Sequence, residues 1–372
     1  MFKNFSIQLT FLGGPTHDAS DRIKTLTRKY DWDDEGSIEY VVVKPGEFLP
    51  KGYDPEKCKY QEKKKKLVYV CHGVGRGLDK TSIERWGWNA TMNNVDIVVH
   101  NYPGYGKTSG LRTEKQICDD SLYLLRHLRE EYEEKYKEEH EEEYKEYGFN
   151  LDIVLLGNSI GCGPVAWLAA HDEAKDLGIE KVILISPWVS LLRLWPTLLP
   201  DLWLPLENAK KSEQLSILQH PWNLVLLFPR FLLWILTLLC SLFAGLDFFD
   251  NFQSIKSVKK LKEKKVLMIH GNLDKLVPLW HSEKLMDAIG NNQEVTKQLV
   301  VMEKCGHVYT RLVADELIWG FVHDVDKDTL NGLAEMVKAQ PEPGSQEKSS
   351  HTSQVIPTIL IKDTARGSHI KD

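Results

Sequence analysis

The stretch Asp152-Ile153-Val154-Leu155-Leu156-Gly157-Asn158-Ser159-Ile160-Gly161 decides how this chain is read. Its apolar run is the right length for a short buried strand. A helix-like stretch follows over residues 164–170. The pentapeptide Gly157-Asn158-Ser159-Ile160-Gly161 thus falls at a strand-to-helix turn, the place where a G-x-S-x-G motif presents a nucleophile. A serine hydroxyl is a poor nucleophile until a base and oxyanion donors reach it. A sharp turn exposes it to both, and small residues two positions either side let the two backbones approach closely.

Outward from this turn, short β-branched apolar runs recur at residues 38–43, 67–71, 96–100, 153–156, 181–185, 266–269 and 298–302. Several end in Gly or Pro. Near-continuous apolar runs suit strands buried on both faces of a mostly parallel sheet, and the helical patterns between them supply the cover. Thr113 with Gln116 three residues on reads as a capping box opening a helix that carries Ile117, Leu122, Leu124, Leu125 and Leu128. Its continuation over residues 129–147 is dense in Glu, Lys and Tyr and reads as a solvated extension held by i,i+4 pairs.

A hydrolytic serine needs a base to take its proton and an acid to orient that base. Asp274, in His270-Gly271-Asn272-Leu273-Asp274, follows the strand at 266–269. His307, in Lys304-Cys305-Gly306-His307, follows the strand at 298–302. Ser159, Asp274 and His307 therefore each occupy a loop after a strand, on one edge of one parallel sheet, where ligand chemistry gathers. Asp247, Asp250 and Asp287 are worse-placed acids, and His270 and His281 worse-placed bases. The oxyanion donors are expected from the backbone N–H of Ile160 and from the loop His72-Gly73-Val74-Gly75-Arg76-Gly77, with Val74 preferred and Gly75 as the alternative. His72 is expected to pin that loop through its ring. The loop lacks the spacing of a phosphate-binding motif.

The strand–helix alternation breaks between residues 187 and 247, where five of the 11 tryptophans fall: Trp188, Trp195, Trp203, Trp222 and Trp234. Residues 224–246 are long enough to span a bilayer on length alone. A single crossing would put Ser159 and the pair Asp274 and His307 on opposite sides of the membrane, so it is rejected. An apolar helical lid, a monotopic hairpin and two short crossings stay open, and the first two predict an apolar substrate, an acyl one if Ser159 is hydrolytic, or an apolar approach surface. The domain reading is an N-terminal segment 1–37, a core in two parts at 38–186 and 248–330, the insertion 187–247, and a disordered tail at 338–372, in which 355–361 could serve as a short recognition segment.

Hydrophobic residues at 42% and charged residues at 27% are ordinary for a globular chain, and a net charge of -6 over 372 residues gives no reason to expect nucleic acid. The six cysteines form no close pair, which suggests a reducing compartment and no metal site, and the serine chemistry expected here needs no metal or organic cofactor. Residues 1–12 lack the uninterrupted apolar region of a signal peptide. The location expected is cytoplasmic, with peripheral or monotopic membrane contact left open.

Taken together, His72-Gly73, Asn101-Tyr102-Pro103-Gly104-Tyr105-Gly106-Lys107-Thr108-Ser109-Gly110, Gly157-Asn158-Ser159-Ile160-Gly161, His270-Gly271-Asn272-Leu273-Asp274 and Cys305-Gly306-His307 resemble the successive motifs of the α/β-hydrolase superfamily. The branch they are most similar to holds depalmitoylase-like and serine aminopeptidase-like hydrolases, and Phe249-Asp250-Asn251-Phe252 resembles that branch too. The resemblance covers residues 38–325 and implies a serine hydrolase with Ser159 as nucleophile, Asp274 as acid and His307 as base. The Leu/Trp-rich insertion departs from the branch, as does the absence of an N-terminal cysteine cluster. An acyl-ester or thioester hydrolase is the leading expectation. A peptidase or amidase, or a non-catalytic membrane-associated interaction protein, are the alternatives.

Overall fold

The apolar runs become strands because each is covered on both faces. In a computed structural model, which describes residues 21–29, 35–48, 65–75, 77–191, 193–194, 252–325 and 359–362, alternate side chains of one strand enter two separate cores. Leu67, Tyr69, Ile153, Leu155, Val182 and Leu184 pack on one side; Val68, Val70, Val154, Leu156, Ile183 and Ile185 pack on the other. This is the period-2 alternation of a pleated strand applied to a run with no polar face.

The strands are β1 (Lys24–Lys29), β2 (Glu35–Val43), β3 (Lys66–Cys71), β4 (Asp96–His100), β5 (Asp152–Asn158), β6 (Ile179–Ile185), β7 (Lys264–Gly271), β8 (Val295–Met302) and β9 (Ile359–Lys362). They form one sheet in the order β1-β2-β4-β3-β5-β6-β7-β8-β9. β4, β3, β5, β6, β7 and β8 are mutually parallel; β2 runs antiparallel between β1 and β4, and β9 antiparallel beside β8. This is the α/β-hydrolase architecture expected from the sequence, a mostly parallel central sheet flanked by helices. All seven anticipated strands are present. The sheet nevertheless begins at Lys24, ahead of the core boundary read at residue 38. It also includes four residues of the segment after 338 that was expected to be disordered.

The helices are α1 (Lys80–Asn93), α2 (Glu114–Glu139), α3 (Glu141–Tyr147), α4 (Cys162–Ala169), α5 (Ser254–Val258), α6 (Trp280–Ile289), α7 (His307–Val313) and α8 (Asp315–Val322). Ile117, Leu124 and Leu128 of α2, Val165 of α4 and Leu285 of α6 belong to one core; Ile83 of α1 and Leu317 and Ile318 of α8 belong to the other. Thr113 caps α2 by accepting from the Gln116 N–H at 3.2 Å. The Gln116 side chain does not return to the cap, however, but donates to Asp120 at 2.6 Å, so only half of the capping box is made. The Glu/Lys-rich extension is helical with a break at His140, and carries the i,i+4 pairs Lys135–Glu139 and Lys145–Glu141.

The lid or membrane contact expected for residues 187–247 falls almost wholly outside the described residues. Its first members are described, and they belong to the core: Trp188 and Val189 are fully buried. Among the described residues no helix is long and apolar enough to cross a membrane.

Three buried histidines couple this packing to pH. Burial holds His72 down to about 4, with hydrogen bonds to backbone opposing weakly. It holds His100 to about 3, helped by His72, and His281 to about 3, helped by His270. Between these values and the unfolded value of about 6.5, the unfolded chain binds more protons than the folded one. The histidines' contribution is therefore undiminished above pH 6.5 and falls as pH drops toward 4, by about 1.4 kcal/mol per pH unit for each, while burial of Asp120, which raises its carboxyl to about 7, offsets the equivalent of one of them. Urea midpoints at pH 7, 6 and 5 read this directly. His281→Gln, which keeps an acceptor for the Val189 N–H now bonded to His281 Nδ1, should flatten the slope by about 1.4 kcal/mol per pH unit, the share of one histidine. A midpoint independent of pH over this range would disprove the account.

Candidate active site

Parallel strands put their C-terminal ends on one edge, so the loops after β3, β5, β7 and β8 meet there. The chain leaves β5 at Asn158, makes a single 3-10 turn over Ser159–Gly161 and enters α4. At Ser159 the backbone has φ 55, a left-handed conformation that a non-glycine residue adopts only when its surroundings impose it. The surroundings are tight. A Cβ on Gly161 would stand 2.0 Å from the carbonyl oxygen of Cys71, and one on Gly157 would stand 2.7 Å from the carbonyl oxygen of Gly161. The two outer glycines of the motif are thus the condition for α4 to pass so close to β3 and β5. Trp188 props the turn from behind, its indole Nε1–H donating to the Ser159 carbonyl at 2.9 Å.

The structure brings Ser159, His307 and Asp274 into one chain of contacts. His307 Nε2 lies 2.9 Å from Ser159 Oγ, and His307 Nδ1 lies 2.6 Å from Asp274 Oδ2. Asp274 is buried, and its other oxygen accepts from the backbone N–H groups of Leu276 at 3.0 Å and Val277 at 2.8 Å. Burial alone would raise its carboxyl. Hydrogen bonds from His270 and His307, the charge of His307 and the Val277 N–H outweigh that and hold the group well below the usual carboxylate range. An ionised carboxylate only accepts, so the neutral His307 ring must carry its proton on Nδ1 and leave Nε2 free to accept from the serine.

Behind Asp274 sits a contact that the sequence reading passed over. His270, buried at the end of β7, donates from Nε2 to the Val277 carbonyl at 2.6 Å, while its Nδ1 lies 2.6 Å from Ser282 Oγ. This closes the 270–277 loop around the acid. His281 is buried on α6 and stacked on Trp280, and Asp287 lies on the same helix. Asp247 and Asp250 fall outside the described residues.

The loop after β3 faces the same space. His72 Nδ1 lies 2.8 Å from the Gly73 carbonyl, and its ring stacks on Tyr102 at 4.3 Å. The Tyr102 hydroxyl donates to the His72 carbonyl at 2.9 Å. The Gly75 N–H donates to the Tyr105 hydroxyl at 3.0 Å. No acceptor among the described residues is bonded to the Val74 N–H. Ile160, second in the 3-10 turn, has one of the amides that a helix start leaves without an internal acceptor.

These loops enclose a cavity of about 520 Å³. Ser159 and His307 open onto it, as do Val74 and Ile160, and apolar side chains including Leu156, Leu191, Leu194 and Leu276 make much of its wall. Among the described residues no group of three His, Cys, Asp or Glu side chains is placed to hold a metal ion.

Residues 62–311, well over half of the chain, match the sequence profile of a family described as serine aminopeptidase, S33. The chain belongs to this family of α/β-hydrolases. It is accordingly a serine hydrolase. No curated protein matches the hydrolase by sequence. Among solved structures it is similar to an esterase of Pyrococcus furiosus at a TM-score of 0.48 and 14% identity, covering 84% of this chain and 97% of that one. It is also similar to an acylaminoacyl peptidase of Pyrococcus horikoshii (TM-score 0.46, 15% identity, 83% of this chain and 44% of that one). A hydrolase of Pseudomonas aeruginosa gives a TM-score of 0.43 at 16% identity, over 84% of this chain and 100% of that one.

Proposed function

We propose that this hydrolase cleaves an ester or thioester of an apolar acyl group through an acyl-enzyme on Ser159. The observation that carries the reading is the Ser159–His307–Asp274 chain opening onto a cavity walled largely by aliphatic side chains. His307 Nε2 takes the Ser159 proton as Oγ bonds to the acyl carbon. The carbonyl π electrons move to oxygen and are met by the N–H groups of Val74 and Ile160. Engagement of the Gly75 N–H by Tyr105 supports Val74 over Gly75 as the first donor. Collapse of the intermediate breaks the carbon–oxygen or carbon–sulfur bond, and the leaving group carries away the proton held on His307. Water then enters by the same route, giving its proton to His307 and its oxygen to the acyl carbon, and Ser159 is restored. Asp274 stays ionised throughout and stabilises the imidazolium.

A fluorophosphonate probe tests the reading, because it phosphonylates only a serine activated in this way. Folded protein should label to one equivalent per chain, with the adduct at Ser159, and Ser159→Ala should not label. Absence of labelling in the folded wild-type protein, or equal labelling of Ser159→Ala, would sink the proposal.

A further inference from the structure

We infer that the cavity over Ser159 contains an anion subsite built on Arg311, so that the acyl substrate carries a carboxylate or phosphate besides its scissile bond. This rests on the hydrolase reading above. Arg311 follows His307 by four residues on α7, so both side chains project from one face of that helix, and both line the cavity. Arg311 is only 9% exposed. Its Nη1 donates to Asp315, and the guanidinium lies over the Trp86 ring, 5.1 Å from the centroid. Its Nη2 is buried and has no hydrogen-bond partner among the described residues.

That unmatched donor is the telling feature. Buried polar groups are almost always hydrogen-bonded, and the tie from α7 to α8 through Asp315 leaves this donor unused. The carboxylate that pairs with it is on the outer side, with the Asp315 side chain 37% exposed. With Nη1 engaged by Asp315 and the guanidinium carbon over the Trp86 ring, Nη2 is the donor left for an oxygen of a carboxylate or phosphate. A second guanidinium, Arg85 of α1, lines the same cavity, and no Asp or Glu does among the described residues. A guanidinium donor at this wall suits an anion better than the α-ammonium group that an aminopeptidase substrate would bring. The remaining wall, including Val70, Val99 and Leu156, accommodates the aliphatic part of the same molecule.

Two matched substrate pairs test the subsite. In p-nitrophenyl hexanoate against mono-p-nitrophenyl adipate, a carboxylate ends the acyl chain; in 1-hexanoylglycerol against its 3-phosphate, the anion is on the leaving group. The anionic member of at least one pair should be favoured in kcat/KM by about tenfold or more, chiefly through KM. Arg311→Gln should shrink that preference about 10- to 100-fold, the range for a hydrogen bond to a charged group, and Arg311→Lys should restore part of it. Which pair responds identifies where the anion sits. Lack of preference in both pairs overturns the inference, and so does a preference that survives Arg311→Gln. An equal loss for neutral and anionic members also overturns it, because Arg311 would then merely support His307. If no ester is turned over, the hydrolase reading fails by itself. Calorimetric titration of Ser159→Ala with the same uncleaved pairs still reads the subsite: tighter binding of the anionic member sustains it, and equal binding removes it.

Discussion

Alanine in place of Ser159 or of His307 is expected to lower kcat for an acyl ester by about a million-fold, and the double replacement by no more than either alone. In the proposed reaction the two side chains act as one unit. Without the proton acceptor 2.9 Å away, Ser159 Oγ stays a neutral hydroxyl, and without Oγ the imidazole has no nucleophile to activate. The residual rate should still exceed that in water by roughly a thousand-fold or more, because the cavity and the oxyanion donors remain. KM should change little. The measurement is single-turnover kinetics on all three variants, with thermal unfolding to show that each is folded. Singles whose losses multiply in the double replacement would mean that the two residues do not share a step.

Asparagine at Asp274 should cost about ten-thousand-fold in kcat, less than loss of Ser159 or His307 and for a different reason. An Asn side chain keeps one carbonyl oxygen, enough to accept from the Leu276 and Val277 N–H groups and hold the loop. Its amide would then face His307 Nδ1, where only an acceptor is useful to catalysis. The ring would move its proton to Nε2 and donate toward Ser159 instead of accepting from it. The variant should also lose acid-sensitive stability. The folded carboxyl of Asp274 is depressed, so its contribution is present above the unfolded value of about 3.9 and is lost as pH falls toward the folded one. Comparing kcat and urea midpoints of wild type and Asp274→Asn from pH 7 to pH 3 separates the two effects. An Asn variant with more than about a hundredth of wild-type kcat would remove Asp274 from the proposed machinery.

How much of this was legible beforehand depends on whether the signal is local. The seven central strands are readable as apolar runs because each is buried on both faces, so that nearly every position shows it. β1 is not readable in this way. Its sequence Lys-Thr-Leu-Thr-Arg-Lys is mostly exposed, and it is a strand only because β2 offers a free edge to pair with. The half-made capping box at Thr113 is a smaller case: Asp120, one turn further on, competes for the Gln116 side chain, with Arg28 of β1 on the same carboxylate.

The site divides along the same line. Ser159, Asp274 and His307 could be named from sequence because each follows a strand, and parallel strands deliver their C-terminal ends to one edge whatever packs around them. The strained turn at Ser159 was likewise implied by flanking glycines, whose missing side chains leave room for Cys71. By contrast, the choice between Val74 and Gly75 turns on a tyrosine thirty residues away, and the His270 contact on a hydroxyl in α6. The sequence by itself thus determined the sheet and the three residues meeting at its edge, because periodicity and strand order are properties of short segments. Tertiary structure alone decided which amides are spoken for, and that a guanidinium one turn beyond His307 lies against Trp86 with one buried donor unmatched. Those depend on the approach of distant segments, where a shift of about an ångström makes or breaks a hydrogen bond.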